Sequence, residues 1–262
     1  MKQLEDLHGI LRHCYTKSSK AGEQFIGEHG ISFIVSGEME AYDGNTKHLY
    51  QKGDVVLYRK NALIRFVKYP HQEKCFEAIS IILDEKLLKI FAEQYEIFSD
   101  KSPKESLFKL KEDELIQTYF KGLETWFSNK ISTELATVKK TEMILLVLRN
   151  NKEFKNILFH FGMPGKVNLE AFMNTHFRFN VPLSQLAFLT GRSLATFKRD
   201  FEKLFQMSPH KWIQQKRLEE AHYLLKHKKM KVKDVYLEVG FETLSHFSYT
   251  FKNHFGVSPS RL

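Results

Sequence analysis

The chain has 262 residues, 42% of them hydrophobic and 23 of them phenylalanine, and its formal net charge is +9. This apolar content can fill the cores of two ordinary domains, which argues against a disordered chain. The longest apolar run, residues 143–148, is far too short to cross a bilayer, and no apolar signal core follows Met1. Cys14 and Cys75 lack a metal-binding spacing, which fits reduced thiols. We therefore expect a cytoplasmic protein with no membrane partner.

The first part of the chain alternates apolar and polar residues with the period of two that is typical of strands. From about Ser18 to Leu83, such runs are separated by turn signals at Ser36-Gly37, Asp43-Gly44-Asn45, Gly53-Asp54 and Tyr69-Pro70-His71. The pattern predicts a small antiparallel β barrel or sandwich. Four of its polar side chains are as compatible with lining a cavity as with facing solvent: Glu38, Tyr42, Arg59 and Arg65.

The period becomes helical at Asp84, which can cap a helix. The apolar face of that helix consists of Leu87, Leu88, Phe91 and Tyr95. Two more helices are predicted after turn signals at 99–103, the first with Leu115, Tyr119, Leu123, Trp126 and Phe127, the second with Leu135, Val138, Leu145 and Leu148. Both are apolar on more than one side. Burial against the β domain accounts for one side, and we interpret the other as a dimer contact between about Asp113 and Arg149.

A connector over residues 150–166 closes at Gly162-Met-Pro-Gly165 and predicts a domain boundary. Asn168 can cap the next helix, and Ser184, which follows Pro182, is expected to open the next motif. We expect an α+β chain with three parts. They are a sensor or regulatory β domain over 1–103, a helical dimerisation and linker region over 104–165, and an all-α domain over 166–262.

The last third of the chain contains one pattern twice. The first copy has Gly191, Phe197, Phe201, Phe205 and Ser208-Pro209, and the second has Gly240, Phe247, Phe251, Phe255 and Ser258-Pro259. Phenylalanines four apart lie on one helical face, glycine suits a turn with positive φ, and Ser-Pro ends a helix. Each copy therefore predicts a helix, a tight turn and a second helix. One copy fits any pair of packed helices, but two in tandem favour duplicated DNA-binding units.

The segment between the copies and its charge support this interpretation. Apolar residues at helical spacing from Trp212 to Leu225 predict one linker helix of about four turns. Residues 166–262 contain 16 Lys and Arg against 8 Asp and Glu, a net charge of +8, which leaves +1 for the first 165 residues. Basic side chains bind polyanions by displacing condensed counterions, so we expect a polyanion partner for this region only.

Many residues here agree in order and spacing with one protein family. They are Leu186-Ala187, Gly191, Ser193 to Phe201, Ser208-Pro209, Arg217-Leu218 with Ala221, Val239-Gly240-Phe241, Phe247, Phe251-Lys252, Phe255-Gly256 and Ser258-Pro259. The region from about Asn168 to Leu262 thus resembles the AraC/XylS-type transcription regulators. Through Ser36-Gly37-Glu38 and Lys52-Gly53-Asp54, the β domain more loosely resembles their cupin-like sensor domain. The resemblance implies two helix-turn-helix units that read one face of duplex DNA about one turn apart, in a sequence-specific regulator that is most often an activator.

In the first unit, the reading helix is expected to run from about Ser193 to Leu204. Its predicted buried side consists of Leu194, Phe197, Phe201 and Leu204. Helix geometry then turns four residues outward, at positions where the resemblance implies base contacts: Ala195, Thr196, Lys198 and Arg199. Arg199 suits a guanine edge, Lys198 a guanine or a phosphate, and the two small residues a thymine methyl group.

In the second unit, the reading helix is expected to run from about Thr243 to His254, with Phe247 and Phe251 buried. Its outward residues are Leu244, Ser245, His246, Ser248 and Tyr249. Because this face has almost no formal charge, we expect weaker base discrimination, or positioning on phosphates by Ser245 and Thr243 at the helix N-terminus. Further candidates for backbone contacts are Ser208, Lys211, Lys216 and Lys252.

The chain departs from the family pattern at one position. Many members have alanine four residues before the second glycine, as Ala187 stands before Gly191, but this chain has Tyr236. Its ring is expected to widen the helix crossing or to turn its hydroxyl outward.

A metal-dependent cupin enzyme with an accessory nucleic-acid-binding domain is the alternative function. Enzyme-type cupins bind metal through a close His-x-His pair, a Glu and a later His, whereas His29, His48 and His71 are isolated here. We therefore predict no enzyme activity and assign no catalytic residue, metal site or cofactor. The expected partners are double-stranded DNA, a second copy of the chain and RNA polymerase, with a small-molecule or protein effector left open.

Overall fold

The computed structural model describes residues 2–17, 25–71, 75–101, 103, 105–129 and 131–262. They form two compact units, residues 1–162 and 163–262. The three-part division at 103/104 and 165/166 stays a prediction. Within the described ranges, no helix combines the length and the apolar character that a bilayer crossing requires.

The first unit is an antiparallel β sandwich, as predicted. Its strands within the described residues are β1 (Lys2–Leu7), β2 (Ile10–Tyr15), β3 (Phe25–Ile26), β4 (His29–Ser36), β5 (Glu38–Asp43), β6 (Thr46–Gln51), β7 (Val55–Tyr58), β8 (Ala62–Tyr69), β9 (Phe76–Leu83) and β10 (Leu107–Lys109). Six form a sheet in the order β1-β2-β9-β4-β7-β10, and four form a second sheet in the order β3-β8-β5-β6. All strand pairs among the described residues are antiparallel.

The predicted start of the β region, near Ser18, was wrong, because β1 and β2 precede it. Strand β1 is an edge strand that pairs with β2, and Leu4 on it is 50% exposed. An edge strand with so little burial has no apolar alternation to mark it in the sequence. Residues 18–24, at the predicted start itself, lie outside the described residues.

One hydrophobic core lies between the two sheets and fixes which side chains face inward. It includes Ile26, Ile34, Met39, Ala41, Tyr50, Val56, Ile64, Phe66, Phe76 and Ala78. With Met39 and Ala41 inward, strand alternation turns Glu38 and Tyr42 outward. Arg65 lies opposite Tyr42 on the same outer face, its guanidinium carbon 4.3 Å from the ring centroid. Glu38, Tyr42 and Arg65 therefore do not line a cavity between the sheets.

A second core lies between the other face of the six-stranded sheet and the helices α1 (Glu85–Tyr95), α2 (Glu114–Glu124), α3 (Thr133–Asn150) and α4 (Lys155–Leu158). Asp84 caps α1 as predicted, since its Oδ1 accepts a 2.9 Å hydrogen bond from the Leu87 amide. Phe33 of β4 stacks on Phe120 of α2, with ring centroids 5.0 Å apart. The helices therefore belong to the same packed unit as the sandwich.

The second unit is all-α and contains the predicted linker helix. Its helices are α5 (Leu169–His176), α6 (Leu183–Leu189), α7 (Leu194–Phe205), α8 (Pro209–Lys226), α9 (Val232–Glu238) and α10 (Leu244–Phe255). Asn168 caps α5 as predicted, at 2.8 Å from the Ala171 amide. Ser184 does not open the first motif but lies inside α6, because Pro182 occupies the cap position before that helix. The linker helix α8 has 18 residues, about five turns rather than four.

Candidate nucleic-acid interface

The first helix-turn-helix consists of α6, a turn at Thr190–Gly191 and α7. Gly191 has a φ of 66°, and a Cβ there would lie 2.6 Å from the backbone of Gly165. Thr190 is fully buried, and its hydroxyl donates to the Leu186 and Ala187 carbonyls at 3.0 and 2.9 Å. These contacts fix the angle at which α7 leaves the turn.

Helix α7 presents the predicted face to solvent. Ser193 caps it, with its Oγ accepting from the Thr196 amide at 3.2 Å. Ala195, Lys198 and Arg199 are exposed and Thr196 is half-buried, while Phe197 and Phe201 are completely buried. The four candidates therefore lie together on the side opposite the aromatic stripe.

The predicted burial of Leu194 and Leu204 was wrong. They are 40% and 46% exposed. Both lie at the angle of the buried face, but they occupy the two ends of α7, where the packing helices no longer cover it. Leu204 instead lines an open groove with Val167, Leu169 and Lys203.

Asp200 follows the predicted reading residue and was not anticipated. Its Oδ2 accepts from Nε of the buried Arg192 at 3.1 Å, and its Oδ1 lies 3.9 Å from Nε of Arg199. The Arg199 side chain is 76% exposed. A carboxylate on the Nε side of this arginine leaves the two terminal guanidinium nitrogens for other partners, and those are the donors that a guanine edge needs.

The second helix-turn-helix repeats this construction with α9, Gly240 and α10. Gly240 has a φ of 93°, and a Cβ there would overlap the Arg178 carbonyl oxygen. Tyr236, the departure from the family pattern, is half-buried and packs against the apolar cluster of this unit. Phe247 and Phe251 of that cluster are completely buried, as predicted.

The outward face of α10 is uncharged over its first half, as the sequence suggests. Leu244, Ser245, His246 and Tyr249 are exposed and Ser248 is half-buried. Thr243 caps the helix, its Oγ1 accepting from the His246 amide at 3.2 Å, and the His246 ring contacts Phe241 edge-on at 5.5 Å. Lys252 is exposed nearer the C-terminal end.

The linker helix packs against both helix-turn-helix units. Trp212 near its start contacts Phe201 and Phe205, with ring centroids 5.6 and 4.7 Å apart, and Leu218 and Ala221 in its second half lie in the cluster of the second unit. Arg217, between them, donates to the carbonyls of Phe177, Phe179 and Gly240. No pattern in the sequence indicated these three partners.

The remaining backbone-contact candidates differ in accessibility. Ser208 and Lys211 are exposed near the N-terminus of α8. Lys216 is half-buried, pairs with Glu219 at 3.5 Å and lies 5.8 Å from the Trp212 ring centroid. Lys216 is therefore partly engaged within the protein.

The histidines considered for a metal site are not grouped. No three His, Cys, Asp or Glu side chains in the described residues lie close enough to share a metal ion. His29 is 1% exposed, its Nδ1 accepts from the Lys60 amide at 3.3 Å, and its Nε2 finds no hydrogen-bond partner among the described residues. Burial, with Lys60 and Arg59 nearby, lowers the pKa of His29 to about 3, so its ring is neutral.

Comparison with known proteins matches both halves of the chain. A family described as a helix-turn-helix domain matches residues 186–262, and one described as the ExsA N-terminal regulatory domain matches residues 29–157. The HTH-type transcriptional regulator ExsA of Pseudomonas aeruginosa is 24% identical over 241 residues, covering 89% of this chain and 85% of that protein. The thermoregulatory protein LcrF of Yersinia pestis is 24% identical over 242 residues, covering 89% and 88%.

The chain belongs to the AraC/XylS-type transcription regulators. It is thus a DNA-binding regulator of transcription, and neither match supports the cupin-enzyme alternative. The virulence regulon transcriptional activator VirF of Yersinia enterocolitica shows the same 24% identity over 242 residues, covering 89% of this chain and 88% of that protein. Among solved structures, apo ToxT from Vibrio cholerae, a single-residue variant, has a TM-score of 0.48 and 15% identity, covering 97% of this chain and 96% of that chain. The strands and helices described above assign the fold of this AraC/XylS-type regulator, independently of that similarity.

Proposed function

We propose that α7 supplies the main base-reading contacts, through Ala195, Thr196, Lys198 and Arg199. The observation that carries this proposal is their common exposed face beside a fully buried aromatic stripe. A helix with one face anchored and the opposite face polar can enter the major groove without disturbing the core. Arg199, with its Nε side facing Asp200, supplies the guanine contact.

Helix α10 makes the weaker second contact in this proposal. Leu244, Ser245, His246, Ser248 and Tyr249 form its outward face, and Lys252 contacts a phosphate. The exposed leucine and tyrosine suit apolar contact with thymine methyl groups, while the serines suit phosphates. This face contributes more to position than to base choice.

The regulator acts in the cytoplasm as an activator without enzyme activity, and it contacts RNA polymerase from the promoter. The curated relative VirF, named as an activator, supports the direction of regulation. The first unit mediates dimerisation through α3, where Leu135, Val138 and Leu145 are 43–61% exposed. It also receives the controlling signal from a small-molecule or protein effector.

The test is selection of binding sites from a randomised duplex library, with the full chain as wild type, Arg199→Ala and Lys252→Ala. Arg199→Ala is expected to relax base choice at one position and to cost roughly 1–3 kcal/mol on the selected site. Lys252→Ala is expected to weaken all sequences about equally, since a phosphate contact carries no base information. An unchanged preference after Arg199→Ala would show that α7 does not read bases through this residue.

A further inference from the structure

Five lysines lie close together at the entry to the second helix-turn-helix. They are Lys226, Lys228, Lys229, Lys231 and Lys233, in the last turn of α8, the turn that follows and the first turn of α9. We call residues 226–233 the lysine loop. It contains no acidic residue, and all five lysines are exposed. None of the five forms a salt bridge within the part of the chain that the structure describes.

The lysine loop concentrates positive charge in the turn that ends a helix. Lys229 has a φ of 51°, the left-handed conformation that Glu96 and Gln206 also adopt after α1 and α7, so it belongs to the turn that ends α8. Five like charges within eight residues also repel one another. A polyanion at this surface would relieve the repulsion, and lysines bind such a partner by displacing its counterions.

The loop has a defined position in the unit. Met230 packs into the apolar cluster beneath it, and the Met230 amide donates to the Leu224 carbonyl at 3.2 Å. The loop leads directly into α9, the first helix of the second unit. In a bound helix-turn-helix the first helix crosses the phosphate backbone while the second lies in the groove. The loop therefore lies at the end of the element that meets the backbone.

The two helix-turn-helix units carry their positive charge in different places. The first unit has Lys198 and Arg199 on the outward face of its reading helix, whereas the outward residues of α10 before Lys252 are uncharged. A neutral reading helix gains little from counterion release. The lysine loop supplies the charge that α10 lacks.

We propose that the lysine loop binds the phosphate backbone of duplex DNA next to the bases that α10 contacts. This rests on the proposed function and adds a second anchoring site that is independent of base identity. Each lysine that neutralises a phosphate adds about 0.9 to the log-log dependence of affinity on salt. At about 0.15 M salt, one such contact corresponds to roughly fivefold in affinity.

The experiment compares three full-length proteins on one selected duplex over about 50–300 mM salt. The loop variant carries Lys228→Gln, Lys229→Gln and Lys231→Gln. The control variant removes the same charge from residues 1–162, with Lys52→Gln, Lys111→Gln and Lys121→Gln. All six lysines are exposed and form no salt bridge among the described residues, so both variants keep the fold. Thermal unfolding followed by circular dichroism verifies that both variants are folded.

The slope of log affinity against log salt concentration is expected to be smaller in magnitude for the loop variant, by about one unit for each phosphate interaction lost. The loop variant is expected to keep the base preference of wild type. The control variant is expected to keep the wild-type slope. A loop variant whose slope equals that of the control overturns the proposal. If wild type binds no duplex in a salt-sensitive manner, the proposed function itself fails.

Discussion

Nη1 of Arg217 donates a 2.8 Å hydrogen bond to the carbonyl of Gly240, which ties the middle of the linker helix to the turn of the second helix-turn-helix. The other two donors of the same guanidinium, Nε and Nη2, reach the Phe177 and Phe179 carbonyls at 2.8 and 2.9 Å. These carbonyls belong to the segment that leads into the first helix-turn-helix. Burial lowers the pKa of Arg217 to about 10, so it remains charged at neutral pH. One side chain of the linker thus connects the second helix-turn-helix to the segment that leads into the first.

We predict that Arg217→Met destabilises the second helix-turn-helix and loosens the spacing between the two contact sites on DNA. The variant leaves three carbonyls without their donor, and each buried unsatisfied group costs about 1–3 kcal/mol. Urea denaturation measures the stability, and binding to duplexes with inserted base pairs measures the spacing tolerance. The neighbouring Lys216→Met, which removes a partly exposed charge, is the control. Equal stability and equal spacing tolerance in both variants would contradict a connecting role for Arg217.

The sequence predicted the features of this domain that depend on local repetition. Phe197, Phe201, Phe247 and Phe251 recur at helical spacing, and each is completely buried. Periodicity indicates which side of a helix is apolar but not where the neighbouring helices stop covering that side. For this reason Leu204 was wrongly predicted to be buried. The contacts of Arg217 join residues up to 40 positions apart, and no local pattern encodes such a separation.

The other features that the sequence did not predict have related physical causes. Strand β1 lies at a sheet edge, so its sequence needs little apolar alternation. Asp200 accepts a hydrogen bond from Arg192, which lies in the turn before α7. A helical wheel of α7 does not include Arg192 and so does not show this contact. The lysine loop contributed only to the net charge, because a run of lysines resembles any solvated surface until its exposure and its position beside α9 are known.

A second prediction separates buried from exposed apolar residues of α7. Phe201 is 0% exposed and contacts Trp212 edge-on, so Phe201→Ala is expected to cost about 3–5 kcal/mol and to unfold the all-α unit. Leu204 is 46% exposed, so Leu204→Ala is expected to cost less than about 1 kcal/mol. Thermal unfolding followed by circular dichroism distinguishes the two. Similar losses of stability in both variants would mean that α7 is covered over its whole length.

A third prediction concerns the pH dependence of residues 1–162. The folded-state pKa of His29 is lowered to about 3, mainly by burial, so the unfolded chain binds more protons below pH 6.5. The free energy of unfolding is therefore expected to fall as the pH drops from 6.5 toward 3, by on the order of 2 kcal/mol at pH 5. His29→Asn can keep an acceptor for the Lys60 amide but does not titrate, so its stability should depend less on pH.

Urea denaturation at pH 7 and pH 5 tests this prediction. Each protein is compared with itself at the two pH values, so a loss of stability that His29→Asn causes at both pH values cancels. If His29→Asn loses as much stability between the two pH values as wild type does, another group accounts for the dependence.

The surface of α3 motivates the last prediction. Leu135, Val138 and Leu145 are 51%, 61% and 43% exposed, and their positions fall within about 80° of one another around the helix. Trp126, Phe127 and Leu148, which the sequence also suggested for a dimer contact, pack instead against the core of their own unit. The exposed stripe of α3, rather than the whole apolar surface of both helices, is therefore the proposed contact.

We predict that Val138→Lys combined with Leu145→Lys makes the full chain monomeric without unfolding it, because both side chains already contact solvent. A dimer presents four reading helices, so wild type is expected to bind a duplex with two sites more tightly than one with a single site through effective concentration, and the variant is expected to lose that gain. Sedimentation at tens of micromolar protein measures association, with Leu4→Lys and Leu49→Lys together as an equally charged control on exposed strand residues. A wild type that sediments as a monomer and gains nothing from the second site would leave the stripe without a role in dimerisation.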